Sequence, residues 1–147
     1  MPDLARFEWL GVLLARIAIG LVFMISGSGK LWRADKRAAM LETLEDAHVP
    51  AARFNARFVP AVELCFGTLL LLGALTPIAC VMLSGVMLVA LLTTQIQTIK
   101  ATRLSDWLAS FLYLPEVLYL LILILLFFSG PGWLSVDHLL FSRSRPL

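Results

Sequence analysis

Four apolar runs, each near the length of a membrane crossing, dominate this 147-residue sequence and leave few folds open to it. The first extends from Trp9 to Trp32 and the second from Phe58 to Leu75. The third runs from Ile78 to Leu92 with a more polar continuation to Ile99, and the fourth from Leu108 to Phe128. A helix needs about 20 apolar residues to cross about 30 Å of hydrocarbon. In lipid, backbone N–H and C=O groups must be satisfied inside a helix or a closed barrel, and no run shows the period-2 alternation of barrel strands. The chain therefore reads as an all-α integral membrane protein, a four-transmembrane-helix bundle in one domain over residues 1–147. The expected spans are about 9–32, 58–75, 78–99 and 108–128.

Composition agrees. Hydrophobic residues make up 60% of the chain and charged residues 15%, with a mean hydropathy of +0.89, whereas soluble domains average about 45–50% and about 25%. A formal net charge of +2 is too small to argue for nucleic acid. The basic residues lie mainly between the runs, where they suit a membrane surface. The first run is not a cleavable signal peptide by its pattern, because Asp3 and Glu8 flank Arg6 and Arg16 breaks the apolar stretch.

The connections carry their own signals. Thr76-Pro77 reads as a tight hairpin, with Thr76 as N-cap and Pro77 opening the third span, so spans two and three should be antiparallel neighbours. Pro115 is expected to kink the fourth span and Pro60 the start of the second. Ser129-Gly130-Pro131-Gly132 ends the fourth span, and the tail carries Asp137, His138, Arg143 and Arg145. Between Arg33 and Arg57, Ala38, Leu41, Leu44 and Ala47 recur at helical spacing opposite charged residues. That pattern predicts a short amphipathic interfacial helix over about 35–47, between spans one and two. A solvated helical lid is the alternative. Lys30, Arg33, Lys36, Arg37, Arg53, Arg57, Lys100 and Arg103 lie on one side of the membrane, against Arg6, Arg143 and Arg145 on the other. The count places the longer loops in the cytoplasm and both termini outside.

Charges kept inside the runs are the strongest functional signal. Each costs about 2.5–3.5 kcal/mol on insertion scales, so an ionisable group at depth reads as a site by default. Helical side chains lean toward their own N-terminus. Lys30, ending the first span, leans back into the membrane, and Glu63, roughly 8 Å into the second, leans up toward it. A Lys30–Glu63 pair follows. Glu116, roughly 12 Å into the fourth span, shares a polar stripe with Tyr113 and Tyr119, and Gln95 lies in the same half of the third. The expected site is a water-accessible cavity lined by Lys30, Glu63, Gln95, Tyr113 and Glu116. A buried pair that only fixes helix register is the competing reading. Arg16 leans toward the opposite surface, where Asp137 and helix C-terminal carbonyls are its expected partners in a structural tether of the tail. Gly20, Gly27, Gly67, Ser84 and Gly85 suit close helix packing.

Other chemistry is poorly served. Cys65 and Cys80 lie about 15 Å and about 5 Å from the Thr76-Pro77 turn, which does not suit a disulfide, and there is no CxxC. Gly27-Ser28-Gly29-Lys30 lacks the upstream glycine, the following Ser or Thr, and the strand of a phosphate loop. His48 and His138 both fall outside the spans, so neither a metal site nor an intramembrane haem is expected.

The layout resembles the DoxX family of small four-helix bacterial membrane proteins. The resemblance is carried by Arg16 with Gly20 and Phe23, then Gly27-x2-Lys30-Leu31, then Val49-Pro50. Glu63-x3-Gly67, Leu72-Gly73-x2-Thr76, and Gly130-Pro131-Gly132 with Ser135-x-Asp137 complete it, over about Leu4 to Leu140. The resemblance implies multi-pass residence in a bacterial inner membrane. It also implies an association with membrane redox: quinone-linked thiosulfate oxidation in the DoxD branch, and oxidative-stress or thiol-homeostasis complexes for some DoxX members. This chain departs in lacking a redox-active cysteine pair, so unaided catalysis is not expected and no cofactor is evident. A quinone is the redox partner such a bundle could hold, needing an apolar groove and one or two hydrogen-bonding groups, for which Gln95, Tyr113 and Glu116 are candidates. The expected role is a membrane subunit or anchor of a redox or oxidative-stress system, binding quinone or another small lipophile. Its partners would be the lipid bilayer, a soluble redox enzyme and further copies of itself. Two alternatives are a proton-coupled transporter using Lys30, Glu63 and Glu116, and a scaffold recruiting soluble enzymes through residues 33–57.

Overall fold

The computed structural model describes residues 8–100, 103–130 and 135–137. Helix α1 spans Glu8–Trp32, α2 Ala34–Asp46, α3 Ala52–Leu72, α4 Thr76–Ala90, α5 Leu104–Leu112 and α6 Pro115–Ser129. No strand occurs among the described residues. Three stretches are long and apolar enough to cross a membrane: α1, α3, and Thr76–Thr98, which is α4 with its continuation. The pair α5–α6 adds a fourth if it counts as one span, bent by 61°. Arg6, Pro131, Gly132, His138, Arg143 and Arg145, which entered the turn and charge readings, lie outside the described residues.

The long helices form a ring in which α1 packs on α3, α3 on α4, α4 on α6, and α6 back on α1. Ile19, Phe23, Leu70, Ala79, Cys80, Leu83, Met87, Leu123 and Leu126 fill the centre, and Phe23 meets Tyr119 edge-on with ring centroids 5.9 Å apart. The outer faces present Leu14, Ile25, Val81, Leu92 and Phe128. Apolar side chains exposed all round a bundle are what a hydrocarbon solvent selects.

The α1–α3 contact is the closest in the bundle, and two matched sequence rows explain it. Arg16, Gly20, Phe23, Gly27 and Lys30 recur at alternating four- and three-residue steps on α1, as do Ala56, Pro60, Glu63, Gly67 and Leu70 on α3. Such spacing keeps one stripe of each helix against the other. Glycine sets the separation. A Cβ at Gly27 would lie 2.5 Å from the Pro60 carbonyl oxygen and 2.6 Å from the Leu64 nitrogen. One at Gly20 would lie 2.9 Å from the Leu71 backbone, and one at Gly67 2.8 Å from the Met24 nitrogen. Backbone cannot rotate away as a side chain can, so these positions hold the helices together through absent atoms.

Several boundaries differ from the sequence reading. The second span's helix begins at Ala52, six residues before Phe58, and ends at Leu72. Hydropathy marks the apolar portion, while the helix itself continues past Arg57 and Arg53. Gly73, at φ 68°, closes α3, with Gly73 N–H donating to the Leu70 carbonyl and Ala74 N–H to that of Leu69, a Schellman ending. Thr76 is not the N-cap of α4: Leu75 holds that position at φ 50°. The cap comes instead from Asp137, whose Oδ1 accepts from Leu75 N–H at 2.9 Å and Oδ2 from Thr76 N–H at 3.1 Å. The third span is not α-helical throughout, since Leu91–Gln95 forms a π turn and Ile96–Thr98 a 3-10 turn. The expected fourth span bends by 61° before Pro115, as a kink there would require, and the helix is interrupted at the bend. Leu114 is extended, at ψ 128°, and Pro115 opens a new helix, because the residue before proline is driven out of the helical region.

An ion pair at the rim of an apolar groove

Ionic contact follows from the register of the α1–α3 seam. Lys30 occupies the last turn of α1 and Glu63 the middle of α3, and the antiparallel rows place them together. Lys30 Nζ donates to Glu63 Oε1 and Oε2, each at 3.0 Å, and Ser26 Oγ donates to Oε2 at 3.0 Å. The Glu63 side chain is 3% exposed and that of Lys30 28%. Three hydrogen bonds from two groups thus hold a carboxylate that water barely reaches, while the ammonium keeps one face open. Gly27 makes the pairing possible, since its missing Cβ would sit 3.1 Å from Glu63 Cβ.

That open face lies on a groove of about 870 Å³ between α2, α3 and α4, with Lys30 and Lys36 on its rim. Its walls are largely apolar, including Met40, Leu44, Phe58, Val62, Met82 and Val86. Binding sites for small molecules are typically about 300–1,000 Å³ and mostly apolar with a few polar groups. The polar groups here are Thr43, Asn55, Thr93 and Thr94. Thr43, Thr93 and Thr94 donate their hydroxyls to Ala39, Val89 and Ala90 carbonyls respectively, so each presents an oxygen lone pair. Thr93 and Thr94 belong to the π turn, a distortion common where a helix shapes a functional site. Gly85 also lines the groove, and a Cβ there would meet nothing within 4 Å.

The structure joins some expected site residues and separates others. Lys30 and Glu63 are paired. Gln95 ends the π turn, half-buried, and is not on the groove wall. Tyr113 falls at the α5–α6 break and is 88% exposed, off the groove. Glu116 opens α6 with one carboxylate oxygen buried and without a hydrogen-bond partner among the described residues. No hydrogen bond or ion pair among the described residues ties it to Lys30 or Glu63. At the other end of α1, Arg16 is buried over Gly73, whose Cβ, if present, would lie 2.6 Å from Arg16 Nη1 and 2.6 Å from Ser135 Cβ. Asp137 N–H donates to the Gly73 carbonyl at 3.1 Å. Arg16, Gly73, Ser135 and Asp137 thus fasten residues 135–137 across the α3–α4 turn. Sequence reasoning did not find Asn55, Gly85, Thr93 and Thr94 as groove residues, although a Thr-Thr pair in an apolar span was a visible signal.

The DoxX family model matches residues 11–96. An uncharacterized membrane protein of Mycobacterium tuberculosis, Rv3486, is 33% identical over 137 residues, covering 90% of this chain and 83% of its own length. The chain belongs to the DoxX family. The DoxX match contains the α1–α3 seam, the Lys30–Glu63 pair, the whole π turn and the whole groove, and it ends before α5. No solved structure matches the chain.

Proposed function

We propose that this DoxX-family membrane protein binds a small lipophile, a quinone in the first instance, in the groove beside Lys30. It would serve as the membrane subunit or anchor of a redox or oxidative-stress system in a bacterial inner membrane. The proposed topology has four crossings, with α5–α6 as a broken fourth span and α2 along the interface. The observation that carries the reading is a groove of ligand size whose largely apolar walls carry two ammonium groups, the half-open Lys30 and the exposed Lys36. Lys30 commits two hydrogen bonds to Glu63 and an ammonium has three donors, so one remains for a carbonyl oxygen at the rim. Asn55, with Nδ2 donating to the Pro50 carbonyl, keeps its side-chain oxygen for a ligand hydroxyl. The redox assignment draws on the family's association with quinone-linked systems. A bound quinone would supply two-electron carrier chemistry, and a soluble enzyme would be the partner exchanging electrons with it. A proton relay through Lys30, Glu63 and Glu116 would need water between Glu116 and the pair.

Gly85 supplies the test. Leucine there enters open space in the groove, not the protein core, and improves helix propensity by up to about 1 kcal/mol. Purified protein titrated with a short-chain ubiquinone analogue should gain thermal stability, by about 2.7 kcal/mol at a hundredfold excess over Kd. Gly85→Leu should fold at least as well and lose the gain. An equal gain in both proteins would refute binding in this groove.

A further inference from the structure

A second groove lies on the other side of α2, and its charge is of one sign. It measures about 760 Å³ and is bounded by Arg37, Arg53 and Arg57 over a floor that includes Leu41, Phe54 and Phe58. Among the described residues no Asp or Glu lines it. Among the described residues none of the three arginines makes an ion pair, in contrast to Arg33, which is held by Asp35 at 2.9 Å on the exposed side of α2. Arg37 is fixed from behind, its Nη1 donating to the Leu31 carbonyl at the end of α1 at 3.1 Å. Arg53 and Arg57 stand one turn apart on α3, both exposed. The start of α3 adds to the imbalance. It has no side-chain cap and no acid in its first turn, so its free amides present the positive end of a 21-residue helix beside Arg53.

We propose that this groove is a site for an anionic phospholipid, with the phosphodiester held among the three guanidiniums and the acyl chains laid over Phe54 and Phe58. Two features select a lipid over free phosphate. The rings of Phe54 and Phe58 stack with centroids 5.2 Å apart, and both are exposed beside the guanidiniums, an apolar surface that inorganic phosphate would leave bare. The groove also sits where α1 ends and α3 begins, at the level where a headgroup would meet a helix end. Guanidinium forks bind phosphate oxygens in pairs, and basic pockets at helix ends are a recurrent form of headgroup recognition.

The test uses delipidated full-length protein in a neutral detergent, with dioleoyl phosphatidylglycerol, dioleoyl phosphatidylcholine and inorganic phosphate as separate probes. Native mass spectrometry counts retained lipid, and a thermal melt reports stabilisation. Phosphatidylglycerol should be retained and should raise the melting point, while phosphatidylcholine and phosphate should do neither. Arg53→Gln with Arg57→Gln should weaken phosphatidylglycerol binding about thirty-fold, at about 1 kcal/mol for each basic group near an anionic lipid. Arg53→Lys with Arg57→Lys should retain most of it, and Arg33→Gln should leave it unchanged. Both arginines are exposed and make no ion pair among the described residues, so the double variant is expected to fold, which the melt checks directly. Equal retention of the two lipids, stabilisation by inorganic phosphate alone, or full selectivity in the Gln variant would overturn the proposal.

Discussion

Removing one partner of the Lys30–Glu63 pair should cost very different amounts depending on which partner is removed. In Lys30→Met, Glu63 remains at 3% exposure with Ser26 as its one surviving donor. Stranding one member of a buried pair costs about 3–5 kcal/mol. In Glu63→Gln, the ammonium left behind is 28% exposed and faces the groove, so it can rehydrate, while the amide oxygen keeps the Ser26 hydrogen bond. That loss should be about 1–2 kcal/mol, near the low end for hydrogen bonds to charged groups. Replacing both, as Lys30→Met with Glu63→Leu, should return stability to within about 1 kcal/mol of the native protein, since apolar groups of similar volume often match a buried pair. Reversible unfolding in mixed micelles, followed by circular dichroism, measures all the variants. Equal costs for the two single variants would refute the claim that burial divides the pair unevenly. Additivity of Lys30→Met and Glu63→Leu within about 0.5 kcal/mol would refute the contact itself.

Other outcomes follow from the same structure. Gly27→Ala should destabilise by about 1–3 kcal/mol, because the new methyl meets the Pro60 carbonyl and Leu64 backbone, and the same melts would show it. Asp137→Ala should cost about 1–2 kcal/mol by uncapping α4 and should make the chain after Gly130 more readily cut by protease; unchanged digestion would count against the tether. Tyr113→Ala should change stability by less than about 0.5 kcal/mol, as expected of a side chain 88% exposed at the break.

How much of this the sequence disclosed depends on how local the cause is. Lys30 and Glu63 could be paired on paper because each charge stands out against apolar neighbours and helical side chains lean in a known direction. Arg16 and Asp137 were legible as a tether for the same reason. Their detailed partners were not, since Asp137 caps a helix that begins 61 residues earlier in the chain. The bend at Pro115 is legible from the proline, but its extent is not: an extended Leu114 interrupts the helix, which carries Tyr113 out of any shared polar stripe with Glu116. The start of α3 was misjudged because hydropathy reports where apolar residues begin, whereas a helix persists through Arg53 and Arg57 into polar surroundings. The groove itself left almost no trace. Its walls are ordinary valines, methionines and leucines from three helices, and only their tertiary arrangement leaves space between them. The π turn was equally hidden, since nothing in Leu91–Gln95 distinguishes a five-residue widening from a regular helical turn.

Native mass spectrometry of the protein taken directly from its own membrane, alongside Gly85→Leu prepared identically, addresses the groove most directly. The native protein should carry a lipophile with the mass of an isoprenoid quinone, and the leucine variant, equally folded, should arrive without it. The same bound mass on both proteins, or on neither, would contradict a ligand seated beside Lys30.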